Sequence, residues 1–153
     1  RPDQVAAIIE NLRATHDYLV VDRPRALVNL IEPVLQRADQ LLVVTDLSVP
    51  AVRHCRRLLD FFLADHVTLP VEIVVNREKS GLFGGSLRRE AEKALERKLS
   101  HWLPDDPRAA RRAADHGAPL SEVAASSRLS RAIDRIAASI LKSLPVIAHD
   151  AAR

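Results

Sequence analysis

Four short apolar runs, each followed by a stretch of helical periodicity, set the tightest limit on what this chain can fold into. The runs are Tyr18–Asp22, Gln40–Thr45, Val71–Val75 and a weaker Leu99–Leu103. The second, with Leu41-Leu42-Val43-Val44 in succession, is nearly unbroken in its apolarity, as a strand buried on both faces requires. Helical patterns lie near Ala26–Arg37, Val49–His66 and Leu87–Leu95, and near Pro107–His116 and Leu129–Leu144 after the last run. Strands that alternate with helices are joined by right-handed crossovers and form a parallel sheet. The predicted fold is therefore α/β, a single domain over residues 1–153, with a parallel sheet flanked by helices on both faces.

Local signals agree with this order. Ser48 stands as N-cap before Val49, with Pro50 in the first turn. The stripe Val52, Cys55, Leu59 and Phe62 then recurs at helical spacing. Gly117-Ala118-Pro119 reads as a turn, and Ser86 as the N-cap after a glycine-containing loop. Val5, Ile8, Ile9 and Leu12 place a helix over Pro2–Ala14, directly before the first run. The chain starts at Arg1 and contains no Met, so it is read as part of something longer, the carboxyl-terminal half of a larger sheet.

Composition excludes several classes of function. No apolar run approaches the roughly 20 residues that cross a bilayer, and the last helix, which carries Asp134 among its bases and no aromatic anchor, is read as docking on its own sheet. The single cysteine, Cys55, fits a reducing compartment and a packed core thiol. Aromatics are 3% of the chain, too few for a base-stacking platform. The net charge of +3 is a weak excess; Arg53, Arg56 and Arg57 on one helix and Arg108, Arg111 and Arg112 on another are read as solvated faces. The six histidines fall one per segment without zinc spacing, and no G-x-S-x-G elbow occurs.

The chemistry-bearing candidates sit at strand ends. Asp22 closes the first run, and Pro24 forbids its continuation. At the carboxyl edge of a parallel strand an acid can hold a Mg²⁺-bound water beside phosphates; the alternative is a turn or N-cap aspartate. Asn76 and Arg77 close the third run, where an amide can both donate to and accept from an adenine edge, although Asn also ends strands for turn reasons. Leu103-Pro104-Asp105-Asp106-Pro107 closes the fourth; its two prolines make a rigid wall, and Asp105 or Asp106 serves as N-cap of the next helix. Gly81-Leu82-Phe83-Gly84-Gly85-Ser86 lacks a lysine and fits neither phosphate-loop spacing, and no G-x-x-x-x-G-K-[ST] occurs in the 153 residues.

Four motifs in order carry a family resemblance: H-D-Y-L-V-V-D-R-P-R (16–25), A-D-Q-L-L-V-V-T-D-L-S-V-P-A-V-R (38–53), V-V-N-R (74–77) and L-P-D-D-P-R-A-A-R-R-A-A-D-H-G-A-P-L (103–120). Together they resemble the MinD/ParA superfamily of deviant Walker ATPases, over about His16 to Leu141. The D-R-P-R ending and the T-D-L-S-V-P-A-V-R run look most like the Flp/Tad pilus-assembly ATPases of the CpaE/TadZ type. The resemblance implies the carboxyl-terminal half of a P-loop NTPase fold that binds ATP or ADP with Mg²⁺ and forms a homodimer through its nucleotide face. It makes Asp22 the acid of the Walker B/switch II strand, near the γ-phosphate and holding Mg²⁺ through water, with Pro24 shaping the switch. Asn76 and Arg77 would face adenine, and the Pro104-Asp105 loop would close over base or ribose. Members of the pilus branch are cytoplasmic localisation factors, placed at a pole or membrane-peripherally through pilus and secretion machinery proteins.

The chain departs from that pattern in lacking the deviant Walker A loop, its lysines, the first switch and a receiver-like domain. ATP hydrolysis by these residues alone is therefore not expected. Two alternatives follow. One is a degenerate, non-catalytic interaction domain, suggested by the missing loop and by Arg23 and Arg25 around Pro24. The other is a partition-type ATPase that binds DNA non-specifically through the arginine-bearing helices.

Overall fold

A computed structural model describes residues 2–22, 31–79 and 84–144. The elements run α1 (Pro2–Arg13), α2 (Ile31–Leu35), β1 (Leu41–Thr45), α3 (Val49–Ala64), β2 (Val71–Glu78), α4 (Gly84–Leu95), β3 (His101–Pro104), α5 (Pro107–His116), α6 (Leu120–Val123) and α7 (Arg128–Ser143). The three strands form one sheet in the order β1-β2-β3, and both pairings are parallel. Leu41 lies opposite Val71 and Thr45 opposite Val75, while α3 and α4 carry the chain from one strand to the next.

Helix α3 shows why the sequence folds this way. Asp46 Oδ1 accepts from the Ser48 N–H at 2.8 Å, and Ser48 Oγ accepts from the Ala51 N–H at 3.4 Å, so two donors at the start of the helix are satisfied before Val52. Its inner stripe, Val52, Cys55, Leu59 and Phe62, packs with Val43, Ile73, Val75, Ala91, Leu95 and Leu99 into one core. Leu99 and Val75 are its most completely buried members. Period-two alternation turns Val43 and Thr45 of β1 inward and leaves Leu42 and Val44 on the other face, where both are exposed. Helix α7 packs on β3, with Ser130 and Ala132 buried.

Polar groups stitch the same sheet together. Gln40 Nε2 donates to Glu72 Oε1 at 2.5 Å, and Glu72 Oε2 meets His101 Nε2, so side chains from the three adjoining segments form one chain of contacts. In the turn into β3, Glu92 Oε1 accepts from the Leu99 N–H at 3.0 Å and from Arg88 Nε at 3.3 Å. The Leu99 N–H foremost, with Arg88, holds the Glu92 carboxyl below its ordinary range. A carboxylate whose pKa is depressed on folding stabilises the fold above its unfolded value, about 4.3, and loses that contribution as pH falls through the folded value. Glu92→Gln is therefore expected to lower the urea midpoint at pH 7 and to approach the wild type as the solution is acidified toward pH 3. A deficit independent of pH would show that the carboxylate charge contributes nothing.

The structure corrects several sequence expectations. Residues 18–22 form no strand; Tyr18, Leu19, Val20 and Val21 are exposed, Val20 at 91%. An apolar run becomes a strand only where another strand takes up its hydrogen bonds, and among the described residues none pairs with it. Of the helix expected at Ala26–Arg37, the described part is Ile31–Leu35; residues 23–30 and the loop at 80–83 lie outside the described residues. Helix α4 begins at Gly84, which puts Ser86 inside its first turn rather than at its cap. The weak fourth run starts as a strand at His101, two residues late, because Leu99 is spent on the core. Gly117 does close α5, with φ at 58°, and the unforeseen short α6 follows it.

Candidate functional site at the carboxyl edge of the sheet

Four of the sequence candidates meet where β2 and β3 end. Val75 lies opposite Trp102 and Glu78 opposite Pro104, so β2 advances three residues while β3 advances two. The extra residue makes a β-bulge, and Arg77 within it takes φ of 56°, a left-handed conformation that costs a non-glycine residue about 1–3 kcal/mol. Asn76 Oδ1 accepts from the Arg77 N–H at 2.8 Å and so satisfies a donor that the bulge turns away from the ladder. That bond uses the amide oxygen of Asn76 and leaves its NH₂ group to donate elsewhere.

The neighbouring loop is latched to this bulge. Glu78 O accepts from the Asp105 N–H at 2.9 Å, which fixes Pro104 and Asp105 beside Asn76 and Arg77. The two adjacent aspartates divide their work. Asp106 Oδ1 accepts from the Ala109 N–H at 3.1 Å and caps α5, with Pro107 following as its first residue. Asp105 is then spared the capping role and keeps its side chain exposed at the strand end. This edge offers a donor amide, a guanidinium, a proline wall and a carboxylate at the adjoining ends of β2 and β3.

Asp22 is not brought into this group. It is exposed in the unpaired segment 18–22, and Pro24 lies outside the described residues. The arginine-bearing helices are partly committed to structure. Arg56 pairs with Asp60 at 2.9 Å and with Glu96 at 3.0 Å, and Arg112 Nη1 donates to Val123 O at 3.4 Å. Burial pushes the Cys55 thiol up, against a smaller opposing pull from Arg97, which keeps it protonated and inert. Among the described residues no group of three or more His, Cys, Asp and Glu side chains could hold a metal ion, and no helix is long and apolar enough to cross a membrane.

The sequence reading passed over one further feature. Arg128, Arg131 and Arg135 of α7 line a cleft of about 430 Å³ together with Glu78, Trp102 and Pro104. The signal was available in the i, i+3, i+7 spacing of the three arginines. It becomes a site only when α7 is folded back onto β3.

The residues present fit a nucleotide in part. The NH₂ of Asn76, without a hydrogen-bond partner among the described residues, and the fixed Pro104-Asp105 loop suit the edge and face of a base, and a carboxylate such as Asp22 suits Mg²⁺, which is commonly held by one or two carboxylates together with phosphates and water.

No protein-family model matches the chain. It is similar to the septum site-determining protein MinD of Bacillus subtilis (strain 168), 26% identical over 149 residues that make up 95% of this chain and 55% of that protein. Among solved structures it resembles a ParA family ATPase from Chlorobium tepidum TLS, with a TM-score of 0.82 and 27% identity over 90% of this chain and 56% of that one. It also resembles the MinC:MinD cell division protein complex of Aquifex aeolicus, at a TM-score of 0.78 and 18% identity over 96% of this chain and 62% of that one, a likeness of fold alone. The chain spans about half the length of the relatives it matches. It shares the fold of these proteins, the parallel sheet with flanking helices of a P-loop NTPase.

Proposed function

We propose that these residues form the carboxyl-terminal part of a MinD/ParA-like ATPase, a nucleotide-switched localisation factor of the Flp/Tad pilus-assembly kind represented by CpaE and TadZ. One observation carries the nucleotide part of this reading. The strained bulge at Arg77, satisfied by Asn76 and latched through Asp105, fixes these groups where α/β proteins bind ligands, at the carboxyl ends of parallel strands. In this reading the Asn76 amide donates to the adenine edge, Arg77 stands beside it, and Pro104 with Asp105 closes over base or ribose. Asp22 holds Mg²⁺ through water, and Pro24 shapes the switch that follows. Bound ATP or ADP with Mg²⁺ would supply the difference between two states of the protein. The chain's own residues orient the base and keep its edge out of water.

The pilus assignment rests on the D-R-P-R and T-D-L-S-V-P-A-V-R runs. In the second run Asp46 and Ser48 also start α3, a structural task that any α/β crossover could use. The output would be homodimerisation through the nucleotide face and recruitment of pilus or secretion machinery proteins, as one solved relative is assembled with MinC. The site of action would be cytoplasmic, polar or membrane-peripheral through those partners.

The test is equilibrium dialysis of ATP and ADP against the intact protein, with Mg²⁺ and with excess chelator. Saturable binding that Mg²⁺ strengthens is the expected result. No binding under either condition would sink the reading and favour the non-catalytic interaction domain, whose supporting observation is the exposed segment 18–22, unpaired among the described residues.

A further inference from the structure

We propose that the cleft between α7 and β3 is a second anion site, built for a small ligand that carries two or more linked phosphates. It goes beyond the nucleotide reading, with which it shares Pro104 as a wall, and rests on the arginines of α7. The arginines at 128, 131 and 135 share one face of α7 across two helical turns, so neighbours are close enough for adjacent guanidinium groups to grip one phosphate each. Each is exposed to solvent, and together they line one wall of the cleft. Arg131 and Arg135 form no ion pair among the described residues, although Asp134 lies between them in sequence. Guanidinium forks bind phosphate oxygens two at a time, which compact ammonium groups cannot do.

The rest of the lining sets limits on the ligand. Trp102 and Pro104 give an apolar floor, and the Trp102 ring is held by its own Nε1 bond to Leu99 O at 3.0 Å and by Arg88 stacked 4.5 Å from its centroid. Glu78 is the one carboxylate lining the cleft, set against three cations. It repels an anion from the β2 side and so confines phosphate to α7. At about 430 Å³ the cleft accommodates an oligophosphate, whereas a nucleic-acid duplex would meet only its rim.

Trp102 is the single tryptophan of the chain, which gives the site a local reporter. The experiment is a fluorescence titration of the intact protein with sodium tripolyphosphate, and separately with ATP, at physiological ionic strength. Three proteins are compared: wild type, Arg131→Gln/Arg135→Gln, and a control, Arg53→Gln/Arg57→Gln, that removes equal charge from the exposed face of α3. The expected result is a saturable change in Trp102 emission with tripolyphosphate, weakened by roughly tenfold per guanidinium removed in the α7 variant and unchanged in the α3 variant. Equal weakening in both variants would reduce the effect to diffuse charge and overturn the proposal. So would a response to ATP without one to tripolyphosphate, which would belong to the nucleotide recess, or binding of duplex DNA alone. Failure of ATP to bind leaves the expected tripolyphosphate result untouched, so the two readings fail separately.

Discussion

Phe62→Ala is expected to remove about 3–5 kcal/mol of folding stability, a large share of the roughly 5–15 kcal/mol that a domain possesses. Phe62 is 4% exposed on the inner face of α3, packed in the core that α3 shares with β1, β2 and α4. Deleting its ring forfeits the transfer energy of the buried atoms and opens a cavity that the parallel strands, fixed by their ladders, cannot collapse to fill. Its neighbour supplies the control. Phe61 meets Phe62 with ring centroids 6.0 Å apart but is 42% exposed, so Phe61→Ala loses little buried area and is expected to cost about 1 kcal/mol or less. Urea unfolding of both variants decides the matter, with an unchanged m-value in each showing that the comparison is one of stability. Equal costs would mean that the core is not organised around the α3 stripe.

How much of this molecule can be read from its residues depends on the range of the interactions involved. Helix α3 was legible to its cap, because Ser48, Pro50 and the stripe Val52, Cys55, Leu59, Phe62 all act within a few residues of one another. Strands β1 and β2 were legible because unbroken apolar runs have few other uses. The run Tyr18–Asp22 looks the same in one dimension and fails, since pairing is settled by a distant partner that periodicity does not reveal. At the site, the types of Asn76, Arg77, Pro104 and Asp105 and their place at strand ends were visible. The bulge that turns Arg77 into the left-handed region was not, nor was the Glu78–Asp105 latch, because both arise from the register of β2 on β3. Which of Asp105 and Asp106 caps α5 was also undecidable from type alone; the backbone at Asp106 settles it. The α7 arginines were missed because their cleft needs a wall from a strand some thirty residues earlier.

In the proposed site the Asn76 amide faces an adenine base, and two substitutions at that position separate its two bonds. In Asn76→Asp the side chain keeps an oxygen to accept from the Arg77 N–H, so the bulge persists, but the NH₂ donor is gone and a charge stands in its place. In Asn76→Ala both are lost, and the Arg77 N–H also loses its acceptor. Where a bound base excludes water, a hydrogen bond to its edge contributes about 1–3 kcal/mol, because the unpaired partner must otherwise stay dry and unsatisfied. The most direct measurement is the dissociation constant of Mg-ATP for the intact wild-type protein and for Asn76→Asp, with urea unfolding run in parallel. If the amide donates to the base, binding weakens by about tenfold or more in Asn76→Asp with stability little changed. Wild-type affinity in Asn76→Asp would contradict it, and would reduce Asn76 to the residue that satisfies a bulge.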